Sequence, residues 1–144
     1  MKKETIAIVG LGYWGTIVTN TVVLMNKFRK IYVFDNDLQR VKNIKEKFGH
    51  KIEYINFNEI INNDQIKNIF LATPPKVNFK LLNILIKKNK NILIEKPGLT
   101  NLSQYKIIKN KIKKSKSNLS FGYIYIYNDY IKFIKKIISF NKLG

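Results

Sequence analysis

The chain has no cysteine, a single histidine and only two arginines in 144 residues. Without cysteine there is no disulfide framework, no thiolate nucleophile and no cysteine zinc site, and nothing signals an oxidising compartment; a cytoplasmic setting is expected. The lone histidine, His50, falls between the second and third strand-like runs, on the adenosine side of the crevice described below. It reads as a solvated loop residue and not as a proton relay. Carboxylates are scarce as well, nine against 27 lysines and arginines. They show no clustered ligand spacing, so no metal site is expected. Long unbroken apolar runs are missing too. Lys2-Lys3 followed by an uncharged stretch from Thr5 to Asn26 has the outline of a signal peptide or membrane span. Its interior, with three glycines, Thr16, Thr19, Asn20 and Thr21, argues against membrane insertion, and no small-residue cleavage site follows.

The formal net charge of +18 raises nucleic acid as a partner. The scarcity of arginine weighs against it. Arg29 and Arg40 stand alone among lysines spread along the whole chain beside abundant Ile and Asn. That is a compositional drift, whereas a phosphate-reading surface recruits the bidentate fork of Arg. No groove-reading motif accompanies the charge, so no specific nucleic-acid partner is expected, only a general attraction to anions. A chain of this length makes one ordinary domain with a real core.

What is present is organised around Ile6-Ala7-Ile8-Val9-Gly10-Leu11-Gly12-Tyr13-Trp14-Gly15. An apolar β-branched run turns into glycines and then into a helical pattern: strand, phosphate loop, helix start. The glycines fall as G-x-G-x-x-G, with Gly10 for the tight turn, Gly12 for close approach to a pyrophosphate and Gly15 for helix-on-strand packing. The anion then rests on free N–H groups at the positive end of the helix dipole. Asp35 lies twenty residues beyond Gly15 and ends the run Ile31-Tyr32-Val33-Phe34. There a carboxylate can accept both ribose hydroxyls of an adenine dinucleotide.

The remaining elements follow in order. A helix from Tyr13 to about Lys27 carries Ile17, Val18, Thr21, Val22 and Met25 as its inner face. Asp37 caps a second helix through Phe48, with Leu38, Val41, Ile44 and Phe48 as its stripe and Gly49 as its stop. Glu53 to Phe57 is a short strand and Asn58 to Ile61 a brief helical turn. Ile66 to Ala72 is a buried strand ended by Thr73-Pro74-Pro75, where prolines forbid further ladder pairing. A helix from Val77 to Lys90 shows Phe79, Leu82, Leu85 and Ile86 on one side, and Asn91 to Glu95 returns as strand five. Lys96-Pro97-Gly98 breaks that strand. Asn101 and Gln104 have capping-box spacing for a helix through Lys113, and Lys109 to Lys116 reads as its solvated tail. Leu119 to Tyr127 reads as strand six, with alternating Tyr and Ile, and Asp129 to Phe140 as a last helix, apolar at Tyr130, Ile131, Ile134, Ile137 and Ile138. There is no internal repeat. Strands alternating with helices imply an α/β, doubly wound parallel sheet of about six strands, helices on both faces. In such sheets ligands bind at the carboxyl ends of the strands, and the glycine loop, Asp35, Thr73-Pro74-Pro75 and Glu95-Lys96-Pro97 all fall at such ends.

Together with Phe121-Gly122-Tyr123, these segments resemble the glucose–fructose oxidoreductase/inositol dehydrogenase/rhizopine catabolism (Gfo/Idh/MocA) family over essentially the whole chain. The resemblance implies an NAD(P)-dependent oxidoreductase acting on sugars, sugar nucleotides or other polyols. The Gly12-Tyr13-Trp14-Gly15 form of the loop looks most like enzymes of nucleotide-sugar and surface-polysaccharide synthesis. By that similarity Gly10, Gly12, Tyr13, Trp14, Gly15, Asp35 and Arg40 would contact the cofactor, and Thr73 and Pro74 would line its ribose and nicotinamide side. Glu95 would hydrogen-bond the nicotinamide ribose, and Lys96 would stand beside the reacting carbon as the catalytic group. A lysine next to a positively charged oxidised nicotinamide has its own charge disfavoured, which suits it to take the hydroxyl proton. Asp35 favours NAD because it repels a 2′-phosphate, while Arg40 leaves NADP tolerance open.

Two departures matter. Asn78 stands where the family often has a histidine; it can contact the cofactor but cannot titrate. The family's second, substrate-binding domain would begin where this chain stops, so the expected division is a dinucleotide-binding domain over 1–127 and a final helix over 128–144 leading to a domain outside the chain. Turnover would then need groups from elsewhere, from a homo-oligomer or a companion C-terminal chain. The alternatives are a stand-alone NAD(H)-binding module without turnover and, less favoured, a basic nucleic-acid binder.

Overall fold

A computed structural model describes residues 4–140. Lys2-Lys3 of the signal-like outline and the last residues of the 128–144 segment lie outside the described residues. Six parallel strands form one sheet: β1 Glu4–Val9, β2 Phe28–Phe34, β3 Glu53–Tyr54, β4 Asn68–Leu71, β5 Asn91–Ile94 and β6 Leu119–Phe121. Their order is β3-β2-β1-β4-β5-β6, so the winding reverses between β1 and β4. The connecting helices are α1 Tyr13–Met25, α2 Leu38–Phe48, α3 Phe57–Asn62, α4 Pro75–Lys87 and α5 Leu102–Lys113, with α6 Asp129–Ser139 after the last strand.

The period of two along each strand sorts the core into two layers. Ile8, Ile31, Val33 and Phe70 meet Val22 of α1 and Val41 and Ile44 of α2 on one face. Ala7, Val9, Ile69, Leu71, Ile92 and Ile94 meet Leu82, Leu85 and Ile86 of α4 and Ile108 of α5 on the other. Both faces of the central strands are therefore covered, as continuous apolar strands require. Lys90, at the amino end of β5, is buried; its Nζ donates to the carbonyls of Asn63 and Ile66, 2.8 Å each. Burial, with help from the charges of Lys67 and Lys88, lowers its pKa.

Several expectations change. The inner face of α1 is Gly15, Thr19 and Val22, with Ile17, Thr21 and Met25 turned to solvent. Small residues win that face because the helix comes down directly on the β1 turn. Leu38 is exposed as well. Strand three is only two residues long, and Phe57 begins α3. Strand six stops at Phe121, and Ile124–Tyr127 is a 3-10 turn with all four side chains exposed. The reason lies in register: Phe121 pairs with Ile94, the last residue of β5, and the Gly122 N–H takes the Ile94 carbonyl at 2.8 Å. From there the chain bonds to itself, Ile124 to Gly122 and Ile126 to Tyr123.

Candidate functional site

The carboxyl ends of β1, β2, β4 and β5 open onto one cavity of about 520 Å³. Gly10, Gly12, Tyr13 and Trp14 line it from the first, Asp35, Asn36 and Arg40 from the second, Thr73, Pro74 and Val77 from the third, and Glu95 and Lys96 from the fourth. It sits over the β1/β4 reversal, where open α/β sheets leave a crevice.

The glycine loop is shaped by backbone contacts. Gly10 has φ +93°, and its N–H donates to the Phe34 carbonyl, tying the β1 turn to β2. A Cβ on Gly10 would lie 2.8 Å from the Ala72 carbonyl oxygen, and one on Gly15 only 1.8 Å from that of Gly10. Gly12 differs. Its φ −66° and ψ −164° suit any residue, and an added Cβ would meet only Arg40 Nη1, at 3.5 Å. Neither conformation nor packing explains a glycine there, whereas a group entering the cavity would. That is the fit expected of a dinucleotide's pyrophosphate.

The helix ends point the same way. Asp37, Asn56, Asn101 and Asn128 cap α2, α3, α5 and α6 through their side chains, each accepting from an N–H of the first turn. Neither α1 nor α4 has such a cap: Gly12 and Pro74 stand in that position. The first turns of both border the cavity, through Tyr13 and Trp14 and through Val77, beside that of α2, which Asp37 caps and which adds Arg40. Uncapped N–H groups with the dipole behind them favour an anion.

Asp35 is held firmly. Its Oδ2 accepts the Leu11 N–H at 2.6 Å and its Oδ1 the Asp37 N–H at 2.9 Å. The Arg40 guanidinium stands 3.6 Å from Asp35 and 3.3 Å from Asp37, so its charge is already met by two carboxylates. Its side chain is half exposed, so these pairs fix position more than they add stability.

Glu95 and Lys96 form the far wall. The Glu95 N–H continues the ladder to the Leu71 carbonyl, and Glu95 Oε2 accepts the Lys96 N–H at 3.2 Å. Asn78 does not line the cavity. It is buried, its Oδ1 accepts from the Thr73 hydroxyl, and its Nδ2 donates to the carbonyls of Thr73 (3.3 Å) and Gly98 (2.8 Å). It thus straps the loops after β4 and β5 together from beneath. Gly15 is likewise buried under the loop and supports it.

Of the residues singled out in the sequence, Gly10, Gly12, Tyr13, Trp14, Asp35, Arg40, Thr73, Pro74, Glu95 and Lys96 meet at this cavity, while Gly15 and Asn78 serve it from below. His50 is elsewhere. It borders a separate depression with Leu24 and Phe28, at the amino ends of the strands, because α2 runs antiparallel to β2 and delivers it there. The expectation of an adenosine-side position is corrected accordingly. Asn36 and Val77 line the cavity without having been foreseen; each follows a recognised residue in the same loop or first turn. Among the described residues there is no group of metal-ligating side chains and no helix long and apolar enough to cross a membrane.

Comparison with known proteins agrees with this geometry. Residues 5–123 match the family model described as "Oxidoreductase family, NAD-binding Rossmann fold" (GFO_IDH_MocA). Glucose-6-phosphate 3-dehydrogenase of Bacillus subtilis is 26% identical over 144 residues, all of this chain and 40% of that protein. The fold matches the crystal structure of scyllo-inositol dehydrogenase from Lactobacillus casei with bound NAD(H) and scyllo-inositol at TM-score 0.84, with 17% identity over 99% of this chain and 43% of that one. Myo-inositol 2-dehydrogenase from Lactobacillus plantarum matches at TM-score 0.84, with 21% identity over 99% of this chain and 43% of the other. The chain thus spans about two fifths of the length of these relatives. A cavity built by a glycine loop, an acidic strand end and a Glu-Lys-Pro corner, in a chain matched by that model over most of its length, identifies it as a member of the GFO_IDH_MocA oxidoreductase family, carrying that family's NAD-binding Rossmann domain.

Proposed function

We propose that this chain is the cofactor-binding half of a dehydrogenase that interconverts a hydroxyl and a ketone on a sugar or polyol. The observation that carries the reading is Gly12, a glycine that the chain's own conformation does not need, facing a cavity bordered by two uncapped helix ends. Gly10, Gly12, Tyr13 and Trp14 would hold the pyrophosphate, Asp35 the adenosine ribose, and Thr73, Pro74 and Glu95 the nicotinamide side, above Gly15 and Asn78. When bound, the nicotinamide supplies hydride acceptance and donation. The hydroxyl proton must then go to a base within reach, and we assign that to the Lys96 amine. Asp35 makes NAD the preferred cofactor, and Arg40 already turns Nη1 toward Asp35 and Nε toward Asp37.

Sugar and inositol dehydrogenases among the relatives support a small polyol substrate. The finer reading, a nucleotide sugar of polysaccharide synthesis, rests on the Tyr13-Trp14 form of the loop. In this reading residues 128–144 lead into a substrate domain outside the chain, or meet one on a companion chain or a second copy. Trp14, the sole tryptophan, lines the cavity and reports on binding. NADH titration is expected to quench its emission. Gly12→Val is expected to keep the melting temperature within a few degrees yet weaken NADH binding at least about tenfold. Absence of any response at millimolar NADH would end the reading. Oxidation assays with UDP-sugars, hexose phosphates and inositols, with and without a C-terminal domain supplied in trans, separate a split enzyme from a binding module without turnover.

A further inference from the structure

We propose that Tyr105, on the first turns of α5, is a positioning residue that holds the Glu95-Lys96-Pro97 corner against the cavity. The inference rests on the reading of that corner as the nicotinamide end of a dinucleotide site.

Pro97 has no N–H to give, Lys96 and Pro97 are exposed, and the corner lies beyond the last strand residue, Ile94. Its two carbonyls are held from different sides. Asn78 Nδ2 takes the Gly98 carbonyl from beneath, and the Tyr105 hydroxyl donates to the Pro97 carbonyl from outside. Tyr105 is itself fixed. Asn101 caps α5 through the Gln104 N–H, and Gln104 reaches back to the Thr100 N–H, so the turn that carries Tyr105 is closed at both ends. Its ring packs against Phe121, with centroids 5.5 Å apart.

Phe121 in turn lies so close over Gly98 that an added Cβ would come within 2.4 Å of its ring. Tyr105 and Phe121 therefore back the peptide that follows Lys96 as a wall backs a hinge. The phenol is protonated at ordinary pH and so can donate, and burial, aided by the neighbouring Tyr123, raises its pKa further. Nothing else in the first turns of α5 reaches the corner by hydrogen bond among the described residues.

A group that only stabilised the fold would affect every ligand alike; one that positions the corner affects the nicotinamide end alone. ADP-ribose lacks the nicotinamide and reads the loop and Asp35, whereas NADH reads both ends. The test is Tyr105→Phe, which removes the hydroxyl and keeps the ring, titrated with each ligand by Trp14 quenching and, for NADH, by the emission of the dihydronicotinamide. The expected result is an ADP-ribose Kd within about twofold of the wild type and an NADH Kd weakened about fivefold or more, with the nicotinamide emission moved toward that of free NADH. Equal weakening for the two ligands would overturn the proposal by making Tyr105 a general support, and so would no change for either. Wild-type protein that binds neither ligand removes the underlying reading and this proposal with it, an outcome visible before any variant is made. Tyr105→Leu, which also loses the ring packing, should lower the melting temperature without restoring NADH affinity.

Discussion

Helices α4 and α6 carry much the same pattern and meet opposite fates. In α4 the residues Leu82, Leu85 and Ile86 repeat at helical spacing and all are buried. In α6 the residues Ile131, Ile134 and Ile138 repeat in the same way, and their exposures are 45%, 47% and 57%. Periodicity states which side chains share a face; it does not state that anything covers them. Coverage comes from connectivity. Helix α4 joins β4 to β5, two neighbouring parallel strands, so the crossover must lie on the sheet. Helix α6 follows β6, and no described strand comes after it.

The comparison can be broken or sharpened by substitution. Gly15→Val should have the largest effect, upwards of about 4 kcal/mol by urea unfolding or outright failure to fold, because any Cβ there collides with the Gly10 carbonyl. Leu85→Ala in the covered helix should cost about 3 kcal/mol in the same measurement. Asn78→Ala should cost about 2 kcal/mol, since the Gly98 carbonyl loses its buried donor, and it should loosen NADH binding through the Thr73 loop. Ile134→Ala in α6 should change stability by no more than about 0.5 kcal/mol in this chain. A cost near that of Leu85→Ala would show that the α6 face is covered in solution and would void the contrast. A cost that appears only when a C-terminal domain is supplied would name its cover.

The parallel sheet, its six strands and the four strand ends that meet at the cavity were legible because each rests on a local signal: β-branched runs, glycines at fixed spacing, an acid at a strand end, prolines that stop a ladder. What could not be read depended on neighbours distant in sequence. The alternation of Tyr123 to Tyr127 is that of a strand, but the partner strand ends at Ile94, whose carbonyl the Gly122 N–H takes. The face of α1 was legible only in part: Val18 and Val22 pack inward as their spacing predicts, but close approach of the loop, not apolarity, puts Gly15 and Thr19 on that face. Asn78 stood out as a departure from a family pattern, yet its role as a strap between two loops needed coordinates. Tyr105 gave no signal at all, since one tyrosine in a helix has no reason to be noticed until the Pro97 carbonyl is found beside it.

The Asp35 carboxylate accepts the Leu11 N–H with the same oxygen that faces Arg40. Under the proposed function, choice of cofactor and shape of the turn are therefore written in one side chain. An engineer wishing to admit NADP by replacing the acid with a small neutral residue would also release the amide that gives the turn its form. A successful exchange has to bring a new acceptor for Leu11 along with the new cation, and Asp35→Asn is the mildest first step toward it.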